Sequence, residues 1–141
     1  MFHWVELRTF CHATEERERV EHALRFASGG GEIQASPTEG QHGNPILILV
    51  TRLEDRKAIA AFWDRATSKE HALAWRKNLE DRVDHGVTFH VRFDKQAAYQ
   101  ERLALAVNED IIDTAVKVRV YPARRESAIV LLREELDRRC S

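Results

Sequence analysis

Apolar and polar residues alternate from His3 to Phe10, with Val5, Leu7 and Thr9 pointing one way and Trp4, Glu6 and Arg8 the other, which is the period of a β-strand. The period then changes. Val20, Ala23, Leu24 and Ala27 recur at i, i+3, i+4 and i+7 and predict a helix with one buried stripe. Thr14 is its expected N-cap, and Glu15, Glu16 and Glu18 suit the positive end of its dipole. Ser28 to Asn44 is glycine-rich and reads as loops around a short strand, Glu32 to Ala35. Pro45 opens a strand in which Ile46 to Val50 are all apolar, as in a strand covered on part of both faces. Helical stripes return with Ile59, Phe62, Trp63 and Ala66 over about Asp55 to Ala66, and with Ala72, Trp75, Leu79 and Val83 over about Lys69 to Val83. Gly86 closes that region. Val87, Phe89, Val91 and Phe93 then alternate with Thr88, His90, Arg92 and Asp94, which predicts a half-exposed antiparallel strand. After a helical turn at Lys95–Tyr99, Leu103 to Val107 and Ile111 to Tyr121 are expected to form a hairpin across Asn108-Glu109-Asp110. Pro122 is the expected first residue of the last helix, in which Ala128, Leu132 and Leu136 pack inward.

This order, β, α, β, β, α, α, β, β, β, α, predicts an α+β fold. It is read as a single domain over residues 1–141, a two-layer sandwich of a largely antiparallel sheet with helices on one face. At 141 residues, with 43% hydrophobic and 32% charged, the chain has enough apolar material for a core. No apolar run reaches the roughly 18 residues of a membrane span, and Met1 to Phe10 lacks the layout of a signal peptide. Cys11 and Cys140 are too few for a disulfide framework, which suits the cytoplasm. The net charge of −1 excludes a broadly basic nucleic-acid coat, so a polyanion site has to be a local patch.

Such a patch is visible in the alternation. If Ile112, Thr114, Val116, Val118 and Val120 face the helices with Val87 to Phe93, the opposite face presents His90, Arg92, Lys117, Arg119 and Tyr121, joined by Arg8 and Trp4 if the first strand shares the sheet. Cations interleaved with rings suit RNA, since the cations displace counterions from phosphates and a ring stacks on an unpaired base. An ordinary solvated face explains the same residues more simply on pattern alone, and Glu6 and Asp94 on it fit that view. Arg124 and Arg125, in the expected first turn of the last helix, oppose its dipole unless a phosphate or a neighbour such as Glu126 offsets them. A candidate anion loop brings His12 and Thr14 to the Gly40–Asn44 segment, with His42, Gly43 and Asn44. Seven histidines in no ligand spacing, cysteines without a C-x-x-C partner and the lack of a P-loop or nucleophile elbow give no metal, cofactor or catalytic motif. Trp63 and Trp75 read as core.

Several blocks carry a resemblance: Cys11-His12-Ala13-Thr14-Glu15, Gly43-Asn44-Pro45-Ile46, Phe62-Trp63, Phe93-Asp94-Lys95-Gln96-Ala97-Ala98-Tyr99 and Tyr121-Pro122-Ala123-Arg124-Arg125-Glu126. In this order they resemble the archaeal family of predicted RNA-binding proteins described as exosome subunits, over nearly the whole chain. The resemblance implies a fold similar to ribosomal protein L-five and a role on RNA. The chain departs from the family pattern at Gln41, where a second histidine is expected. The expectation is a non-enzymatic RNA-binding protein without cofactor, its RNA held by Arg8, His90, Arg92, Lys95, Gln96, Lys117, Arg119, Tyr121, Arg124 and Arg125. Two alternatives remain: a protein-interaction subunit of an RNA-processing or ribosomal assembly, or a small hydrolase or ligand-binding enzyme using His12, His42 and the glycine loop.

Overall fold

Period-two stretches form five strands and 3.6-period stretches form six helices among the residues described, 1–40 and 43–141, of the computed structural model. In chain order these are β1 (Phe2–His12), α1 (Arg17–Ser28), β2 (Ile33–Glu39), β3 (Pro45–Leu53), α2 (Arg56–Ala66), α3 (Lys69–Lys77), α4 (Leu79–Arg82), β4 (Thr88–Asp94), α5 (Lys95–Tyr99), β5 (Ile111–Val118) and α6 (Arg125–Cys140). The fold is α+β, and the strands make one open antiparallel sheet in the order β2-β3-β1-β5-β4. The chain forms two compact units, one of Met1–Val5, Glu54–Val91 and Ala115–Ser141, the other of Glu6–Leu53 and Arg92–Thr114.

In the first unit the apolar stripes of α2 and α3 are buried as their spacing predicts. Phe89 of β4 meets Trp63 and Trp75 edge-on, at 6.1 and 5.8 Å between ring centroids, so these helices cover the inward side of the strand. Asp55 and Ser68 cap α2 and α3 by accepting the Ala58 and His71 N–H groups at 3.0 and 3.1 Å. The single helix expected to run to Val83 breaks at Asn78, whose φ of −131° is not helical. Its side-chain oxygen accepts from Arg82 Nε at 2.8 Å, a local bond that competes with helix. Val83 then pairs with Phe89. Val87 does not continue the strand: its φ of +62° is left-handed, a conformation costing an L-residue roughly 1–2 kcal/mol. The bend is fixed by its N–H on the Asp84 carbonyl at 3.1 Å and by its carbonyl, which accepts from Val118 at 3.0 Å. β5 ends at Val118 rather than Tyr121. The last helix starts at Arg125 rather than Pro122, because the Arg124 N–H turns back to the Pro122 carbonyl at 2.8 Å.

In the second unit α1, its stripe buried, packs chiefly against α5 and also against β3 and β2. Thr14 is not its cap; the helix begins after Glu16, and Thr14 lies exposed in the preceding turn. β2 is longer than expected and pairs with β3 from Ile33 opposite Thr51 to Glu39 opposite Pro45. Pro37 is tolerated there because β2 is an edge strand. Leu49, Thr51 and Leu53 of β3 are buried, while Ile46, Leu47 and Ile48 keep contact with solvent. The hairpin expected between Leu103–Val107 and β5 does not form. Gln100 and Glu101 turn the chain back at the end of α5, and Leu105 pairs with Phe93 instead. The Asp94 N–H donates to Ala104 at 2.8 Å and the Ala106 N–H to Arg92 at 3.1 Å, so this segment runs along β4.

Candidate nucleic-acid interface

Alternation on β4 and β5 buries Phe89, Val91, Val116 and Val118 and leaves His90 and Lys117 half-exposed. The six candidate residues of the first unit then divide by what they already hold. Arg119 and Arg124 are exposed, and among the described residues neither side chain has a carboxylate partner. Tyr121, between them in sequence, is 98% exposed. Lys117 bonds the Gly86 carbonyl, and Arg125 bonds the carbonyls of Val83, at 2.8 Å, and Glu80; both are positioned, and among the described residues neither has a carboxylate partner. His90 is engaged with Asp84 at 2.8 Å. Burial pushes the Asp84 carboxyl up, but the bonds from His90 and the Thr88 N–H outweigh it and hold the group below its ordinary value. Trp4 is half-buried.

In the second unit Arg8 and Arg92 are exposed cations, Arg8 lying over the Phe10 ring at 5.8 Å. Lys95 and Gln96 require correction. Lys95 is 1% exposed, and its ammonium donates to the Phe10 carbonyl at 2.9 Å and sits 3.0 Å from both Glu15 and Asp110. Two carboxylates and a carbonyl satisfy its three protons, so it has nothing left for a phosphate. Gln96 is drawn into the same cluster, donating to Asp110 at 2.7 Å. Tyr99 donates to Glu15 at 2.8 Å, and Asp94 caps α5 through the Ala97 N–H at 2.9 Å. Burial pushes Glu15 and Asp110 up, but the His12 N–H, Tyr99 and Lys95 on Glu15, and Gln96 and Lys95 on Asp110, outweigh it and hold both below the usual carboxylate range. The Asp94–Tyr99 block is therefore a staple tying β1, α5 and the turn at Asp110 together.

The candidate anion loop is only partly assembled. His12, Thr14 and Asn44 line one cavity of about 910 Å³ with Phe10, Ile46 and Ile48. Gly43 has the left-handed φ of +73°, but its N–H donates to Gly40 at 3.1 Å and the Gly40 N–H to Asn44 at 2.9 Å, so the turn uses these donors itself. His42 lies outside the described residues.

One charged cluster of the first unit was not anticipated. Glu135 of α6 is 5% exposed and accepts from Trp63 Nε1 at 3.1 Å, from Arg139 Nε at 2.7 Å and from Arg138. Burial pushes its carboxyl up, but these donors bring it down to about 2. The i, i+3, i+4 spacing of Glu135, Arg138 and Arg139 was a signal in the sequence for part of it.

Residues 4–120 match the family model described as RNA binding. RNA-binding protein PAB1135 of Pyrococcus abyssi is 33% identical, over 96% of this chain and 94% of that one. Among solved structures, protein AF2318 from Archaeglobus fulgidus shares 33% identity and superposes with a TM-score of 0.87 over 95% of this chain and 99% of its own. A DUF54 protein from Methanothermobacter thermautotrophicus shares 32% identity with a TM-score of 0.82, over 96% of this chain and 98% of its own.

Proposed function

This chain belongs to an archaeal family of RNA-binding proteins, and on that premise we propose that it grips RNA through phosphates, with little base specificity and no reaction of its own. The observation that supports this most is the state of Arg119 and Arg124, two exposed cations without a carboxylate partner among the described residues, flanking the open ring of Tyr121. Charges left un-neutralised can displace counterions from a phosphate backbone, and a free ring can stack on any base. Lys117 and Arg125 add charge in the same unit, while Arg8 and Arg92 supply contacts in the other. On this reading the protein is an accessory subunit of RNA processing in the cytoplasm, with the exosome as candidate assembly and a fold similar to ribosomal protein L-five. The test is filter binding of structured and single-stranded RNA across a salt series. Log K is expected to fall linearly with log salt, and loss of Arg119 or Arg124 to flatten that slope by about 0.7–0.9 each. Binding that is absent or indifferent to salt overturns the proposal.

A second reading, docking onto a protein assembly, is favoured by the second unit, where Phe10 is exposed beside Ile46 and Ile48 around the 910 Å³ cavity. Co-purification that survives RNA digestion and is lost in Phe10→Ser distinguishes it.

A further inference from the structure

The first unit contains a cavity of about 410 Å³ that the contacts proposed above, Arg119 apart, do not use. Its size is within the roughly 300–1,000 Å³ common to small-molecule sites. Helical spacing builds its walls. Arg56, Ile59, Ala60 and Trp63 follow one another at i, i+3, i+4 and i+7 along α2, opposite Glu135, Arg138 and Arg139 of α6. Phe2 tilts against Trp63 with ring centroids 4.7 Å apart and gives the cavity an aromatic side.

The charges decide what could enter. Arg138 and Arg139 are committed to Glu135, and Arg139 also to Asp64 at 2.6 Å. Arg56 and Arg119 are not committed: among the described residues neither has an ion-pair partner. Glu54 is the wall carboxylate outside the Glu135 network. The Met1 amine lines the same cavity, and its pKa is lowered by burial first and then by the charges of Arg119 and Arg56. Arg56 is also the first residue of α2, where a cation opposes the helix dipole. Uncommitted positive groups lining one cavity, one of them set against a helix dipole, are offset if an anion enters it.

We propose that this cavity binds the phosphomonoester of a nucleotide, with Arg56 and Arg119 on the phosphate and Phe2, backed by Trp63, against the base. A phosphomonoester carries close to two charges at pH 7, against one for a phosphodiester inside a strand, and two guanidinium groups match that dianion. Stacking on a ring tolerates any base. The source is either the end of an RNA strand or a free mononucleotide, and only the first depends on the RNA-binding reading.

One oligoribonucleotide is prepared with a 5′-phosphate, a 5′-hydroxyl and a 3′-phosphate, and adenosine 5′-monophosphate and adenosine are titrated by calorimetry. A phosphorylated end is expected to bind about tenfold or more tightly than the hydroxyl end. Arg56→Ala, off the proposed RNA surface, is expected to abolish that preference while leaving hydroxyl-ended RNA binding and the thermal melt unchanged. Uptake of the monophosphate but not of adenosine, lost in Arg56→Ala, supports the cavity with a free nucleotide as its ligand. If hydroxyl-ended RNA fails to bind while the monophosphate binds, the RNA reading falls and the cavity stands. Equal binding of all three ends with no uptake of the monophosphate overturns the cavity proposal alone.

Discussion

Replacing Lys95 with methionine separates two roles that a lysine beside a basic strand could have. Methionine keeps the unbranched stem and removes the ammonium, leaving Glu15, Asp110 and the Phe10 carbonyl without their shared donor. Removing one partner of a buried ion pair costs about 3–5 kcal/mol. Glu15 and Asp110 keep side-chain exposures of 21% and 35%, so water compensates in part and the lower end, about 3 kcal/mol, applies. For a domain of this size that is a fall of about 10 °C in Tm. The melt is followed by circular dichroism at pH 7, and RNA binding is measured across a salt series well below the transition. The expected result is a large thermal loss with the salt slope unchanged. A melt unchanged from the wild type, together with a slope reduced by about 0.7–0.9, refutes the staple and restores Lys95 as a phosphate contact.

Arg92→Ala is the converse experiment: stability is expected to hold within about 0.5 kcal/mol and the salt slope to flatten. Glu135 titrates at about 2 in the folded protein against 4.5 as its reference value, so its stabilisation is complete above pH 4.5 and is lost as pH falls from 4.5 towards 2. Glu15 and Asp110 are shifted in the same direction, and acid melts of Glu135→Gln are expected to show a shallower limb in that window, by up to about 3 kcal/mol. Gly31→Ala would drive a methyl group into Thr51 Oγ1 and against Leu53 Cδ2 at 3.1 Å, and denaturant titration is expected to show a loss of about 1–3 kcal/mol.

What could be read from the sequence follows the range of the interaction involved. Stripes such as Val20-Ala23-Leu24-Ala27 and Ile59-Phe62-Trp63-Ala66 are set by neighbours three and four residues away, and they are buried as predicted. Lys95 was misread because its partners Glu15 and Asp110 are remote in sequence, and nothing local distinguishes a paired lysine from a free one. Leu103–Val107 forms no strand of its own, only the Leu105–Phe93 bridge, because which partner it lies beside is a tertiary choice and the turn after α5 sends it back along β4. Arg119 was placed on the strand's outer side by its parity and Arg124 by its position before the last helix, and both are exposed although β5 ends at Val118 and α6 begins at Arg125. Arg56 was missed because its importance depends on α2 lying across a cavity from α6.

The placement of Leu103–Val107 has a consequence for assembly. By donating to and accepting from Arg92 and Asp94, that segment occupies backbone groups which a bare border strand would offer to another chain. At the opposite border Pro37 has no N–H to offer. Strand addition, the common route by which sheets recruit extended peptides or copies of themselves, meets occupied groups at Arg92 and Asp94 and a residue without a donor at Pro37. The proposed contacts, by contrast, are all made by side chains, where salt and point substitution act.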